Sequence, residues 1–371
     1  MNLPRDIEGV RLLAEKLARE HVAAGGKVVG YVTPCVPAEL IEAAGMRSMM
    51  LSAGTETSTA LGDRVMEDLF DTSVRGIFER LLKGEFEYLS AIVLPRANDS
   101  AHRLYYYLCE LKRTGEAKLP PVLLCDVVMT PDEASRRYSI DALGRLWEEL
   151  KAIGRRDAGD AELRAAVVAQ NRRAKWAMGP IISRRVGSIP GEEALACFAA
   201  VHMLALDRLE AAGPPKGAIV SAGERPSGPR VMICGSAQTD GHLHGIIETA
   251  SGIVVMDYHS GGELSVMRLS VDEALAPLEA IADRLRKEQA ASRRFADVAG
   301  ETATFARALR VDLAIFSYFP EEEALTWDYP EQKAALEAAG LRVLRLPEQT
   351  RPFDVASNRA VVEAFVRGVG K

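Results

Sequence analysis

The sequence predicts an α/β protein with two open, mostly parallel sheets and a helical segment between them. Three features carry this expectation. Short apolar runs alternate with amphipathic helical patterns at both ends of the 371-residue chain. The middle, residues 131–210, is rich in Ala, Arg and Glu and carries almost no strand signal. Residues 211–230, AAGPPKGAIVSAGERPSGPR, are dense in Gly and Pro and read as a linker. The expected organisation is an N-terminal lobe over 1–130, a helical segment over 131–210, the linker, and a C-terminal lobe over 231–371.

In the first lobe, residues 5–24 form an amphipathic helix stopped by Gly25-Gly26. KVVGYV follows as a buried strand, then the loop Thr33-Pro34-Cys35-Val36-Pro37 and the helix AELIEAAG. SMMLSAG, YLSAIVLP and PPVLLCDV read as further strands, with helical patterns over 62–84 and in SAHRLYYYLCELKRTG. In the second lobe RVMICGS, GIVVMDYH, DLAIFSYF and RVLRLPEQ read as strands. Helices are expected in HLHGIIETA, over 271–309, over 329–340 and from 355 to 368.

Composition narrows the function. Hydrophobic residues make up 48% and charged residues 26%, enough apolar material for sizeable cores. A net charge of −6 offers no general attraction to nucleic acid or anionic lipid. MNLPRDIEGVRLLAEKLAREH is charged throughout, and no run of roughly 18 apolar residues could cross a bilayer, so a cytoplasmic protein is expected. Cysteines 35, 109, 125, 197 and 234 are scattered without a CxxC pair and support neither a disulfide nor a zinc framework; 109, 125, 197 and 234 read as buried thiols.

Ligands of open parallel sheets bind beyond the carboxyl ends of the strands. The loops to inspect are 33–37, 53–57, 95–100, 235–241, 257–262, 317–328 and 348–353. Cys35, Arg96, Asn98 and His259 are candidate substrate contacts on them. Glu56 reads either as an acid–base group or as a solvated loop carboxylate. Arg96-Ala97-Asn98-Asp99-Ser100 reads as a helix cap or a ligand loop. Cys234-Gly235-Ser236 reads as a tight turn or a phosphate cradle. His242 and His244, two apart on a helix, face different ways and make no metal pair.

Four stretches, TPCVPAELIEAAGM, LPRANDSAHRLYYYL, GLRVLRLPEQ and SNRAVVEAFV, come in an order and spacing that span nearly the whole chain. Together they resemble the 2-hydroxyacyl-CoA dehydratase and benzoyl-CoA reductase subunit family. The resemblance implies two flavodoxin-like (Rossmann-like) lobes, a pairing of two similar subunits, and an acyl-CoA substrate. It also implies a 4Fe–4S cluster on three cysteines, fed one electron by an ATP-dependent activator protein. The three ligand positions fall here near Asp71 in FDTSVRGIFER, at Asn98, and near Trp327 or Asp328. None is a thiolate, the ligand that cluster iron wants. The expectation is therefore a subunit without a cofactor of its own, supporting or helping to bind acyl-CoA beside a cysteine-bearing sister subunit that holds the cluster. A stand-alone binding or scaffold protein and a cluster-free enzyme are the alternatives. The apolar stretch ALACFAAVHMLAL, residues 194–206, needs cover, and a partner subunit is the expected source.

Overall fold

The computed structural model describes residues 2–54, 59–67, 70–215, 227–287 and 296–368. Two four-stranded sheets form, and every pairing in both is parallel. The first holds β1 (Val28–Tyr31), β2 (Arg47–Met50), β3 (Ala91–Pro95) and β4 (Val122–Cys125), in the order β2-β1-β3-β4. The second holds β5 (Arg230–Gly235), β6 (Ile253–Tyr258), β7 (Leu313–Ser317) and β8 (Arg342–Arg345), in the order β6-β5-β7-β8. Each lobe thus repeats one flavodoxin-like arrangement, reversing strand order between its first and third strands.

Side-chain alternation explains why helices cover both faces. In the first sheet Val28, Ile92 and Leu94 enter one core, while Val29, Tyr31, Ala91 and Val93 enter the core on the opposite face. Val231, Ile233, Leu313 and Ile315 oppose Met232, Cys234, Ala314 and Phe316 in the second sheet in the same way.

The middle segment is helical as expected: Glu133–Gly154, Asp160–Arg185, Gly191–Met203 and Leu206–Ala212. Of the linker, residues 216–226 lie outside the described residues. The long helix expected over 271–309 is instead two, Pro277–Leu285 and Val298–Ala308. Proline opens the first of these, and Asp297 caps the second by accepting from the Gly300 amide at 2.8 Å. The pattern expected over 62–84 narrows to a helix at Thr72–Leu82, which Asp71 caps by accepting from Ser73 and Val74.

Two helices tie the lobes together. Helix Pro277–Leu285, within the stretch expected as the second lobe, packs Ile281 and Leu285 into the core of the first lobe. There Arg284 donates to both oxygens of buried Glu39, at 2.8 and 3.1 Å. Helix Gly191–Met203 is buried along most of its length between helices Ile7–Ala23, Asp160–Arg185 and His242–Thr249. The expectation that this apolar stretch needs a second subunit is therefore corrected: the chain covers it itself, so a helix apolar on all sides is a central pillar here.

Candidate functional site

The two sheets present their carboxyl ends to a shared cleft containing a cavity of about 220 Å³. Thr33 and Pro34 reach it after β1, Ser52 to Gly54 after β2, and Asn98 after β3. Gln238 to Asp240 reach it after β5, Ser260 and Gly261 after β6, Glu322 after β7 and Arg351 after β8. Ala199, His202 and Met203 of the central helix border it as well. The strand-order reversal in each lobe separates the loops on either side, which is where an open α/β sheet makes room for a ligand.

Acidic groups gather at one end. The Asp71 amide donates to Ser100 Oγ at 3.0 Å, which ties its loop to the loop of Asn98. Asn98 in turn caps helix Asp99–Thr114, accepting from the Ala101 amide at 2.8 Å. From the other lobe comes Glu322, whose Oε2 is buried and has no partner among the described residues. Burial and then the negative charge of Asp71 push the Glu322 carboxyl up to about 7, against the pull of Arg351. The Arg351 guanidinium lies 3.7 Å from the centre of the Phe319 ring, and its Nε is 3.6 Å from Glu321 Oε1.

A buried ionic network braces the second lobe behind the cleft. Arg184, at the end of helix Asp160–Arg185, donates to Asp257 on β6 and to Glu263, and Arg185 donates to Glu263 as well. His244 Nε2 lies 2.7 Å from Asp257 Oδ1. Burial raises the Asp257 carboxyl, but Arg184 and His244 outweigh it and hold it well below the usual carboxylate range. Glu263 is shifted upward, its burial outweighing the two arginines.

The residues singled out in the sequence are scattered by this geometry. Asn98 borders the cavity. Cys35 is 3% exposed in the first lobe's core, and His259, 1% exposed, sits 3.7 Å from Asp257 in the network. Neither borders the cavity. Arg96 is turned to Asp126 at 3.0 Å. Glu56 lies outside the described residues. Cys234 and Gly235 end strand β5, Gly235 at φ +104°, and the Ser236 amide is taken by Ser317 O of β7 at 2.8 Å, so it is not free to cradle a phosphate. His242 is half exposed beside Asp240, whereas His244 is fully buried, so the two do face different ways. Glu322 and Arg351 fall in loops already marked as ligand-bearing, yet nothing in the sequence separates them from their neighbours. His202 gave no signal, lying inside an apolar helix.

Fold and cleft together define a two-lobed α/β protein with a cleft between two parallel sheets. The chain belongs to the 2-hydroxyglutaryl-CoA dehydratase D-component family, whose family model matches residues 34–367. A D-component is one part of a larger enzyme, which implies a partner subunit. No match to the chain was found among curated proteins. No helix among the described residues is long and apolar enough to cross a membrane.

The donors on this cleft do not suit an iron–sulfur cluster. Cys35, Cys125, Cys197 and Cys234 are buried and Cys109 is half-buried on helix Asp99–Thr114; none borders the cavity. Burial pushes the thiols of Cys125 and Cys197 up to about 12, away from the thiolate form. Of the ligand positions that the resemblance implied, Asp71 and Asn98 border the cavity, while Trp327 is 76% exposed and does not. Among the described residues no three His, Cys, Asp or Glu side chains converge on a metal site.

Proposed function

We propose that this chain is the cluster-free subunit of an acyl-CoA dehydratase-type complex, and that its cleft holds the acyl end of the acyl-CoA. The cysteine-bearing sister subunit holds the 4Fe–4S cluster, and an ATP-dependent activator supplies the electron through that subunit. The observation that carries this reading is the cavity wall itself. At two of the positions where the resemblance implies thiolates, Asp71 and Asn98 border a partly open space lined by both apolar and polar groups. Such a space suits a small acyl group, with a few polar groups fixing its orientation.

Anaerobic co-expression with a candidate sister subunit tests the proposal. The two chains should co-purify, with iron and sulfide on the sister alone, and acyl-CoA should bind the pair. A chain that stays monomeric at micromolar concentration with the sister present, and binds no acyl-CoA, would refute it.

A second reading has one observation in its favour. Glu322, held near 7 beside Asp71, is suited to exchange a proton at neutral pH without any cluster. Turnover of an acyl-CoA by the chain alone, abolished in Glu322→Gln, would favour this cluster-free enzyme over the first reading.

A further inference from the structure

We propose that a single ordered water sits behind the wall of the cleft, bridging Gln170 Oε1 and His202 Nε2, and that Gln170 positions the His202 ring through it. The site is separate from the cleft cavity and holds whatever ligand that cavity takes.

It lies where the two helices that tie the lobes together reach the first sheet. A space of about 10 Å³ is bordered there by Tyr31 of β1, by Gln170 and Arg173 of helix Asp160–Arg185, by His202 of helix Gly191–Met203, and by Arg284 of helix Pro277–Leu285. That is room for one water and nothing larger. Gln170 is 4% exposed and His202 8%, and neither Gln170 Oε1 nor His202 Nε2 has a partner among the described residues. A buried polar atom left unmet costs stability, and one bridging water relieves both. Water donates and accepts alike. It therefore serves the imidazole in either tautomer and the amide in either orientation.

Charge selects a neutral occupant. Arg173 donates to both oxygens of Glu42, at 2.9 and 2.7 Å, just as Arg284 does to both of Glu39. Each guanidinium beside the space is thus matched by its own carboxylate. Burial pushes the His202 pKa down to about 4, so its ring adds no charge at neutral pH. A cation would be repelled by two guanidiniums. An anion would meet the Gln170 oxygen and arginines already matched.

His202 borders the cleft cavity as well as this space. Its backbone carbonyl is fixed by the Tyr31 hydroxyl, which donates at 2.9 Å. A water held by Gln170 fixes the ring in turn, and so sets how His202 stands in the cleft wall.

A crystal structure of the full chain, at a resolution that shows ordered water, tests the site. Density should lie within hydrogen-bond distance of both Gln170 and His202. Its absence, or contact with only one of the two, would overturn the inference. In crystals soaked in bromide, an anomalous peak in this space would make it an anion site instead. In solution, the His202 ring protons should receive magnetisation from a long-lived water, and a parent protein without that transfer sinks the positioning role. Gln170→Met, close in shape but lacking the amide, should lose both the density and the transfer and should shift the His202 ring nitrogen resonances. Loss of packing alone would lower the unfolding temperature and leave those resonances in place. Gln170→Asn, which keeps an amide, should show the smaller shift. Unmoved resonances in a folded Gln170→Met would remove Gln170 as the positioning residue, and the measurements on the parent decide the matter should that variant not fold.

Discussion

The amide of Thr72, the first residue of helix Thr72–Leu82 in one lobe, donates to Glu321 Oε1 of the other lobe at 3.1 Å. A helix N-terminus is an electropositive partner for a carboxylate, so the bond closes the cleft beside Asp71 and Glu322. The same carboxylate faces Arg351, so one side chain sets both the closure of the cleft and the charge balance within it. Glu321→Ala should loosen the closure, costing about 1–2 kcal/mol of stability. Glu321→Gln, which keeps an acceptor, should cost less. Thermal unfolding of the two variants, together with small-angle scattering for the closed form, gives the comparison.

Glu322 makes stability depend on pH. Its carboxyl is raised from 4.5 to about 7 in the folded chain, so between those values the folded state keeps a proton that the unfolded state has lost. Stability therefore falls as pH rises through that window, and the penalty is complete above 7. Glu322→Gln removes it. Discounted for partial solvent exposure, the variant should gain on the order of 1–2 kcal/mol over the parent at pH 8, and nothing below about pH 4.5. Urea midpoints at the two pH values check the sign.

Arg184 donates to both Asp257 and Glu263 in the buried network. Replacing it with Met leaves Asp257 to His244 and Glu263 to Arg185 in a buried setting, so the expected loss is about 3 kcal/mol. Arg184→Lys should not restore it, because an ammonium cannot reproduce the fork that reaches both acids. Arg185→Met should cost less, since that side chain is 26% exposed. Chemical denaturation of the three variants gives the order.

Gly235 allows the turn that carries the loop after β5 to the cavity. A Cβ there would stand 2.3 Å from Ser317 O, on a backbone with φ +104°. Gly235→Ala should destabilise by at least about 1–3 kcal/mol and weaken acyl-CoA binding as well. Unchanged binding in a folded variant would show that this turn does not position the wall.

Anaerobic reconstitution of the isolated chain with iron and sulfide should leave it without a stoichiometric cluster. About four irons per chain, lost in Cys35→Ser, would be the opposite result and would make this a redox subunit.

The alternation of short apolar runs with amphipathic helices was enough to read two parallel-sheet lobes from the sequence, because that periodicity is local. Asp71 and Asn98 were singled out for a different reason: FDTSVRGIFER and LPRANDSAHRLYYYL are contiguous stretches. Asp71 and Asn98 do reach one cavity. At the third implied ligand position, near Trp327 or Asp328, Trp327 is 76% exposed, and it is Glu322, after β7, that borders the cavity. Cys35 and His259 followed the same rule of strand-to-loop position, yet both turn into the protein interior.

By itself, the sequence determined the two lobes, the helical middle, the parallel strands, the family and the loss of thiolates from the expected ligand positions. Each of these is written in periodicity or in residue identity. Only the tertiary structure decided that helix Gly191–Met203 is a covered pillar, that helix Pro277–Leu285 crosses to the other lobe, and that Glu322, Arg351 and His202 meet Asp71 at one cavity. Those outcomes depend on which surfaces bury one another. Burial is set by contacts between residues far apart in the chain, and charge, acceptor state and cleft shape follow from it.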